Sequence, residues 1–184
     1  LAGQRSSASH ADRVGQFAGD YAAVCPRGVL ARTLDRAARL GFGVESAFEY
    51  EFFLFDETPE SVRAKGYRDL RPATPGMFGY SILRSSVHAE LHHALLDAMS
   101  AFECPLEGLH TETGPGVYEA AIGFSEALEQ ADRAILFKTG AKEIGAGFGI
   151  MPSFMAKPNQ KLPGCSGHIH QSLSDGKNNL FFDA

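Results

Sequence analysis

The stretch FEYEFFLF, residues 48–55, sets two glutamates into one of the most apolar runs of the chain. Strand side chains alternate between faces, so Phe48, Tyr50, Phe52 and Leu54 make one apolar side. Glu49 and Glu51 share the other side with Ala47, Phe53 and Phe55. At a spacing of roughly 6–7 Å two carboxylates repel, and burying them unpaired costs several kcal/mol each. A cluster of cations at its acidic face would remove that repulsion.

Two other places repeat the period-two pattern. Along residues 106–112, Leu106, Gly108, His110 and Glu112 share one face. After the turn TGPGV, Val117, Glu119 and Ala121 share a face of the returning strand. A hairpin of this kind brings Glu112 close to Glu119. In HIHQS, His168, His170 and Ser172 lie on one face and Ile169 points away. Each pattern alone has a plainer reading: a solvated E-x-E face, an exposed histidine pair, ordinary hairpin surface. Together they give three strands that each carry a pair of metal-competent side chains. Carboxylates with an occasional imidazole suit hard divalent cations such as Mg²⁺ or Mn²⁺. Cys25, Cys104 and Cys165 are widely spaced without a CxxC pair, which fits reduced, cytosolic thiols and no zinc site. His88, His92 and His93 read as solvent-facing on a helix, and Lys157 as either a charge near the site or a surface lysine. Cupin spacing after H-x-H is absent. So are the phosphate-binding loops G-x-x-x-x-G-K-[ST] and G-x-G-x-x-G, and the nucleophile elbow G-x-S-x-G.

The rest of the chain frames these strands. Residues 1–26 read as a polar lead-in with one possible short helix. Leu30, Leu34, Ala37 and Ala38 mark a helix over about 27–40, stopped by Gly41. The acidic strand follows over 43–55, then a long surface excursion to about residue 80. A helix over about 86–102 repeats Val87, Leu91, Leu95, Met99 and Phe102, leaving His88, His92 and Asp97 outward. Ser125 is placed to cap a helix running to about Gly145, with Leu128, Ala131 and Ile135 inside. FGIMPSFMAKP reads as a strand, NQKLPGCSG as a loop, HIHQSL as a strand and SDGKNN as a turn. Strands and helices mix without βαβ alternation, which predicts an α+β fold with antiparallel pairing.

With 184 residues, 44% hydrophobic and 21% charged, the chain can bury one core of ordinary size. A net charge of −5 argues against a nucleic-acid binder. No apolar run is long enough to span a bilayer, and no secretory signal pattern opens the chain. It starts without methionine and ends at NNLFFDA, just after a hairpin pattern. That reads as an excerpt of a longer protein, with a compact domain carrying a short tail as the alternative.

From Arg27 onward the residues resemble the glutamine synthetase superfamily. EYEFFLF is similar to its E-x-E-F strand, and HTETGPGVYE to its hairpin with two metal glutamates. FMAKPNQKLPGCSGHIHQSL is similar to its K-P…G…H-x-x-x-S signature. The resemblance implies that residues 27–184 are the N-terminal part of a catalytic domain with a largely antiparallel, curved sheet and flanking helices. It implies an ATP-dependent ligase that phosphorylates the γ-carboxylate of glutamate and then joins it to ammonia. By matching positions, Glu51, Glu112 and Glu119 would hold one Mg²⁺ or Mn²⁺ ion, and Glu49 and His168 another. His170, Ser172 and Phe124 would meet the nucleotide. Gly164 would meet the amino-acid substrate, and Tyr80 the ammonium side. Pro163 and GCSGH depart from the commonest forms, so a γ-glutamyl-polyamine or other amine ligase stays open, as does a non-catalytic structural relative. The implied parent is a cytoplasmic homo-oligomer with shared sites, acting on small molecules without nucleic acid or membrane. Its substrate and phosphate arginines, a further metal glutamate and the small N-terminal domain lie outside these residues, so the segment alone is expected to show no turnover.

Overall fold

A computed structural model describes residues 19–182; the lead-in expected over 1–26 lies outside the described residues as far as position 18. The elements are α1 (Pro26–Arg39), β1 (Gly43–Phe55), α2 (Pro59–Ala64), α3 (Ile82–Ser85), α4 (Ala89–Ala101), β2 (Leu106–Thr111), β3 (Val117–Glu126), α5 (Ala127–Gly147), β4 (Met151–Ser153) and β5 (Gly167–Ser174). The sheet runs β2–β3–β1–β4, with β5 also pairing β1; the β2–β3 and β1–β4 pairs are antiparallel. The chain divides into two compact units. One holds the described residues through Ala47, with 124–135 and those from His170 onward; the other holds 48–123 and 136–169.

The larger unit contains the core that the alternation in β1 calls for. Phe52 and Leu54, with Phe48 and Tyr50 at the margin, pack against Leu91, Leu95 and Met99 of α4, Tyr118, Ala120 and Ile122 of β3, and Phe137 and Ala141 of α5. Phe52 lies edge-on to Phe137 with ring centroids 5.8 Å apart, and Tyr50 stacks on Phe137 at 6.1 Å. Leu106 and Leu109 pack against this same cluster. The face expected to hold Leu106 with Gly108 and His110 is therefore broken. The β2–β3 register shifts between Leu106 and Gly108, and an irregularity of that kind reverses side-chain direction locally.

Within the excursion expected over 56–80, α2 forms as a short helix. Thr58 and Ser61 close a capping box around Pro59 at the first turn. Buried Glu57 accepts bonds from Lys65, Ser61 and the Arg71 amide, and these hold its carboxyl down to about 2, Lys65 contributing most.

The helix expected over 86–102 divides into α3, a 3₁₀ turn at Ser86–His88, and α4. Leu91, Leu95 and Met99 are buried, but Val87 and Phe102 are exposed, because each lies outside the α-helical turns that face the core. His92, expected outward, turns inward. Its ring meets Tyr118 edge-on at 5.1 Å, and no described residue bonds its buried Nε2. Burial first, then the neighbouring His88 and His93, pushes its pKa down to about 4. A histidine kept neutral by the fold resists a proton that the unfolded chain accepts. Stability should thus fall as pH drops from about 6.5 towards about 4, by roughly 3 kcal/mol at most. Urea unfolding across that range should show the loss in wild type and a smaller one in His92→Phe.

The smaller unit is built around α1 and the first turns of α5. Pro26 opens α1 at a position where its missing N–H costs nothing, and Gly41, at φ +88°, ends it as expected. Arg27 reaches Asp132 with two bonds of 2.9 Å, and Asp132 is almost wholly buried. The cap of α5 is Glu126, whose carboxylate accepts from the Leu128 and Glu129 amides at 3.0 and 3.2 Å. Ser125, expected there, lies one residue too early because β3 runs on to Glu126; its hydroxyl meets Gln130 instead. Ile135, expected inside, is exposed, while Gln130, Asp132 and Ala134 are buried. The ion pair to Arg27 lets a charged residue take the inner face. After β5, Asp175 accepts from the Lys177 and Asn178 amides, and Leu180 bonds back to Leu173, closing the hairpin.

Candidate metal centre

The second face of β1 has an apolar end and an acidic end, both in the larger unit. Phe53 and Phe55 join Val117 and Cys165 in a small cluster flanked by Leu70 and Met151. Val117 shares its strand face with Glu119, as Phe53 does with Glu49 and Glu51. The GPG turn sets the hairpin against β1. The Leu54 amide bonds the Gly116 carbonyl at 2.7 Å, and a Cβ on Gly116 would meet the Leu54 carbonyl oxygen at 2.6 Å. With φ at +72° as well, only glycine permits that approach.

Glu119 pairs with His110 across the β2–β3 ladder, which puts both side chains on one face. His110 Nε2 lies 4.0 Å from Glu119 Oε1, and its Nδ1 lies 3.7 Å from Glu112 Oε1. Burial first, then the charges of Glu49, Glu112 and Glu51, hold the Glu119 carboxyl above the usual range; His110 works in the opposite direction. The charges of the other three carboxylates therefore reach Glu119. His168 Nδ1 stands 3.7 Å from Glu49 Oε2. Glu51 accepts from the Ser166 amide and from its hydroxyl at 3.1 Å, while the Glu51 amide bonds the Ser166 carbonyl at 3.0 Å. Cys165 is buried, and burial first, then the Glu51 charge, raises its thiol to about 11, which disfavours the thiolate.

Tyr80 sits at φ +54° and is mostly exposed. Its ring stacks on His110 with centroids 4.7 Å apart, and the neighbouring Glu112 raises the phenol's pKa. Among the described residues, no three His, Cys, Asp or Glu side chains already stand in a coordinating arrangement. Glu51 is turned to Ser166, and Glu112 to the Thr113 amide at 2.9 Å. These donors do what a cation would do more strongly. Hard oxygen ligands, one of them Glu119 with its pKa raised by burial and by the charges around it, fit a divalent ion in chemistry and in charge.

Gly164 lies on the loop before β5, where a Cβ would stand 2.5 Å from the Ala156 carbonyl oxygen. Gly164→Ala should cost about 1–3 kcal/mol by overpacking backbone on backbone, measurable by urea unfolding. In the smaller unit, Phe124 is an exposed residue near the end of β3, and His170 and Ser172 share one face of β5.

Two contributors were not foreseen. His110 was visible on the Glu112 face, but its stack with Tyr80 joins residues 30 positions apart through a left-handed backbone turn. Ser166 carried no signal beyond its place in GCSGH.

The profile for the catalytic domain of glutamine synthetase matches residues 23–184. The chain is 50% identical over 168 residues to type-1 glutamine synthetase 2 of Dictyostelium discoideum, covering 90% of this chain and 32% of that protein. It is 35% identical to a glutamate–isopropylamine ligase of a Pseudomonas species, covering 94% and 38%. To a γ-glutamylethanolamide synthetase of Streptomyces coelicolor it is 38% identical, covering 82% and 32%. A GmaS–ADP complex superposes with a TM-score of 0.74 at 25% identity, over 87% of this chain and 36% of that one. The Plasmodium falciparum glutamine synthetase, at 20% identity and the same TM-score, shares the fold over 86% of this chain and 36% of its own. The chain thus spans about a third of the length of these relatives. An α+β fold with an antiparallel open sheet, the acid-bearing strand and hairpin, and a profile match over nearly all of its length agree: the chain belongs to the glutamine synthetase catalytic-domain family.

Proposed function

We propose that this chain is part of an ATP-dependent carbon–nitrogen ligase that forms a γ-glutamyl amide from glutamate and ammonia through a γ-glutamyl phosphate. The placing of Glu112 and Glu119 on either side of His110, with Glu49 facing His168 at 3.7 Å on the paired strands β1 and β5, carries the reading. Glu51, Glu112 and Glu119 would hold one Mg²⁺ or Mn²⁺ ion, and Glu49 and His168 a second. Bound there, such ions neutralise charge that spreads over a transferred phosphoryl group. Ser166 holds the Glu51 carboxylate through its amide and hydroxyl, and the Thr113 amide holds that of Glu112. Gly164 lets a substrate approach the backbone, and Phe124, His170 and Ser172 are assigned to the nucleotide. Phosphorylation turns a carboxylate oxygen, a very poor leaving group, into phosphate, which an amine can displace.

The relatives described as acting on isopropylamine and ethanolamine, together with Pro163, support a second reading in which the amine carries an organic substituent. No described helix is long and apolar enough to cross a membrane. A cytoplasmic homo-oligomeric parent fits the family assignment. The test is made on the full-length parent with glutamate labelled by ¹⁸O in its γ-carboxylate. Transfer of one label to phosphate, dependent on ATP and an amine, is expected. Phosphate without label would rule out the acyl-phosphate route, and a panel of ammonia, ethanolamine and putrescine separates the two amine readings.

A further inference from the structure

His110 belongs to none of the ligand sets above, yet its ring lies within about 4 Å of two of the proposed ligands. Its Nδ1 lies 3.4 Å from the Thr111 carbonyl oxygen and 3.7 Å from Glu112, and its Nε2 lies 4.0 Å from Glu119, so the ring stands between the two carboxylates of the hairpin. The ladder register fixes its backbone directly across from Glu119. Its ring plane is fixed by Tyr80, stacked at 4.7 Å with an interplanar angle of 27°. Tyr80 is itself pinned: its amide bonds the Thr111 carbonyl at 2.7 Å, and the next amide, of Ser81, bonds the Thr111 hydroxyl at 2.9 Å. The His110 ring is thus backed by Tyr80 and flanked by Glu112 and Glu119.

We infer that His110 is a positioning residue, which with Tyr80 as its backing plate sets the spacing of Glu112 and Glu119 for a divalent cation. A ring wedged between two carboxylates keeps them from splaying apart before an ion arrives. Residues that orient ligands from behind commonly account for about 10–100-fold in metal affinity. The inference rests on the metal reading above, and the experiment separates the two.

Mn²⁺ alone is titrated into the full chain, with free ion read by electron paramagnetic resonance and folding by thermal melting without metal. His110→Ala should weaken binding about tenfold or more, with its metal-free melt close to wild type. His110→Gln, which keeps planar polar atoms near both carboxylates, should recover much of the affinity. Tyr80→Ala should weaken binding as well, and the double variant should lose little more than the worse single variant, because the two act as one unit. A merely structural histidine would lower the melt and leave the affinity of the folded fraction unchanged; that result overturns the inference, as does wild-type affinity in His110→Ala. If Glu119→Gln and Glu112→Gln also leave Mn²⁺ binding unchanged, the metal reading itself fails. If they abolish binding while His110→Ala does not, only the positioning role fails.

Discussion

Replacing Glu119 with alanine in the full-length parent should lower amide formation by about 10²–10³ or more, the cost of removing one oriented charge from a transition-state site, and should weaken Mn²⁺ binding in parallel. The fold should survive. Without metal, the variant should be as stable as wild type or more so, since Glu119 is held in a neighbourhood of like charge. The pH dependence carries the sign. A carboxyl whose folded pKa is raised penalises the folded state at higher pH. The penalty fades as pH falls through the raised value and is gone below the unfolded one. The stability gap between variant and wild type should therefore narrow on acidification, and comparing the two proteins cancels the opposite trend from His92. Urea unfolding of both, at about pH 7 and about pH 5 without metal, reads this directly. Equal Mn²⁺-induced rises in melting temperature would remove Glu119 from the ligand set.

The second large effect lies on the opposite face of the same strand. Phe52→Ala should cost about 3–5 kcal/mol, a large share of a stability that for domains is about 5–15 kcal/mol. Phe52 is 2% exposed and sits among Tyr118, Phe137 and Phe154 at centroid distances of 6.4, 5.8 and 5.4 Å. Collapse around the missing ring would have to move α5 or β3. Because Glu51 is its neighbour on β1, the variant should also lose Mn²⁺ affinity, but only together with its cooperative unfolding transition. Circular dichroism during urea unfolding gives the first quantity. A variant that melts within about 1 kcal/mol of wild type would mean that the aromatic cluster is not the support for this strand.

The strand and its two faces could be read directly, because a period of two over FEYEFFLF admits few alternatives. The hairpin around GPG was readable for the same reason, the backbone approach at Gly116 leaving room for nothing larger. Reading failed where long-range contacts overrode local pattern. Asp132 is inside because Arg27, 105 positions away, neutralises it, and no helical periodicity reveals that. His92 is inward because Tyr118 provides a ring edge for it to meet. Leu106 changes face because of a register shift, a feature of pairing more than of composition. At the site, the carboxylates announced themselves as anomalies in apolar strands. The groups that hold them, Ser166, Tyr80 and His110, are common polar residues whose role exists only after the chain has folded.

The central claim is that the strands of the larger unit turn one acidic face into a divalent-cation site. Crystals of the chain grown with Mn²⁺ and measured at the manganese absorption edge test it most directly. An anomalous peak within about 2.0–2.6 Å of carboxylate oxygens from Glu51, Glu112 and Glu119, with a second between Glu49 and His168, is the predicted result. Ordered protein with no peak at these five residues, or with manganese bound only elsewhere, would contradict it.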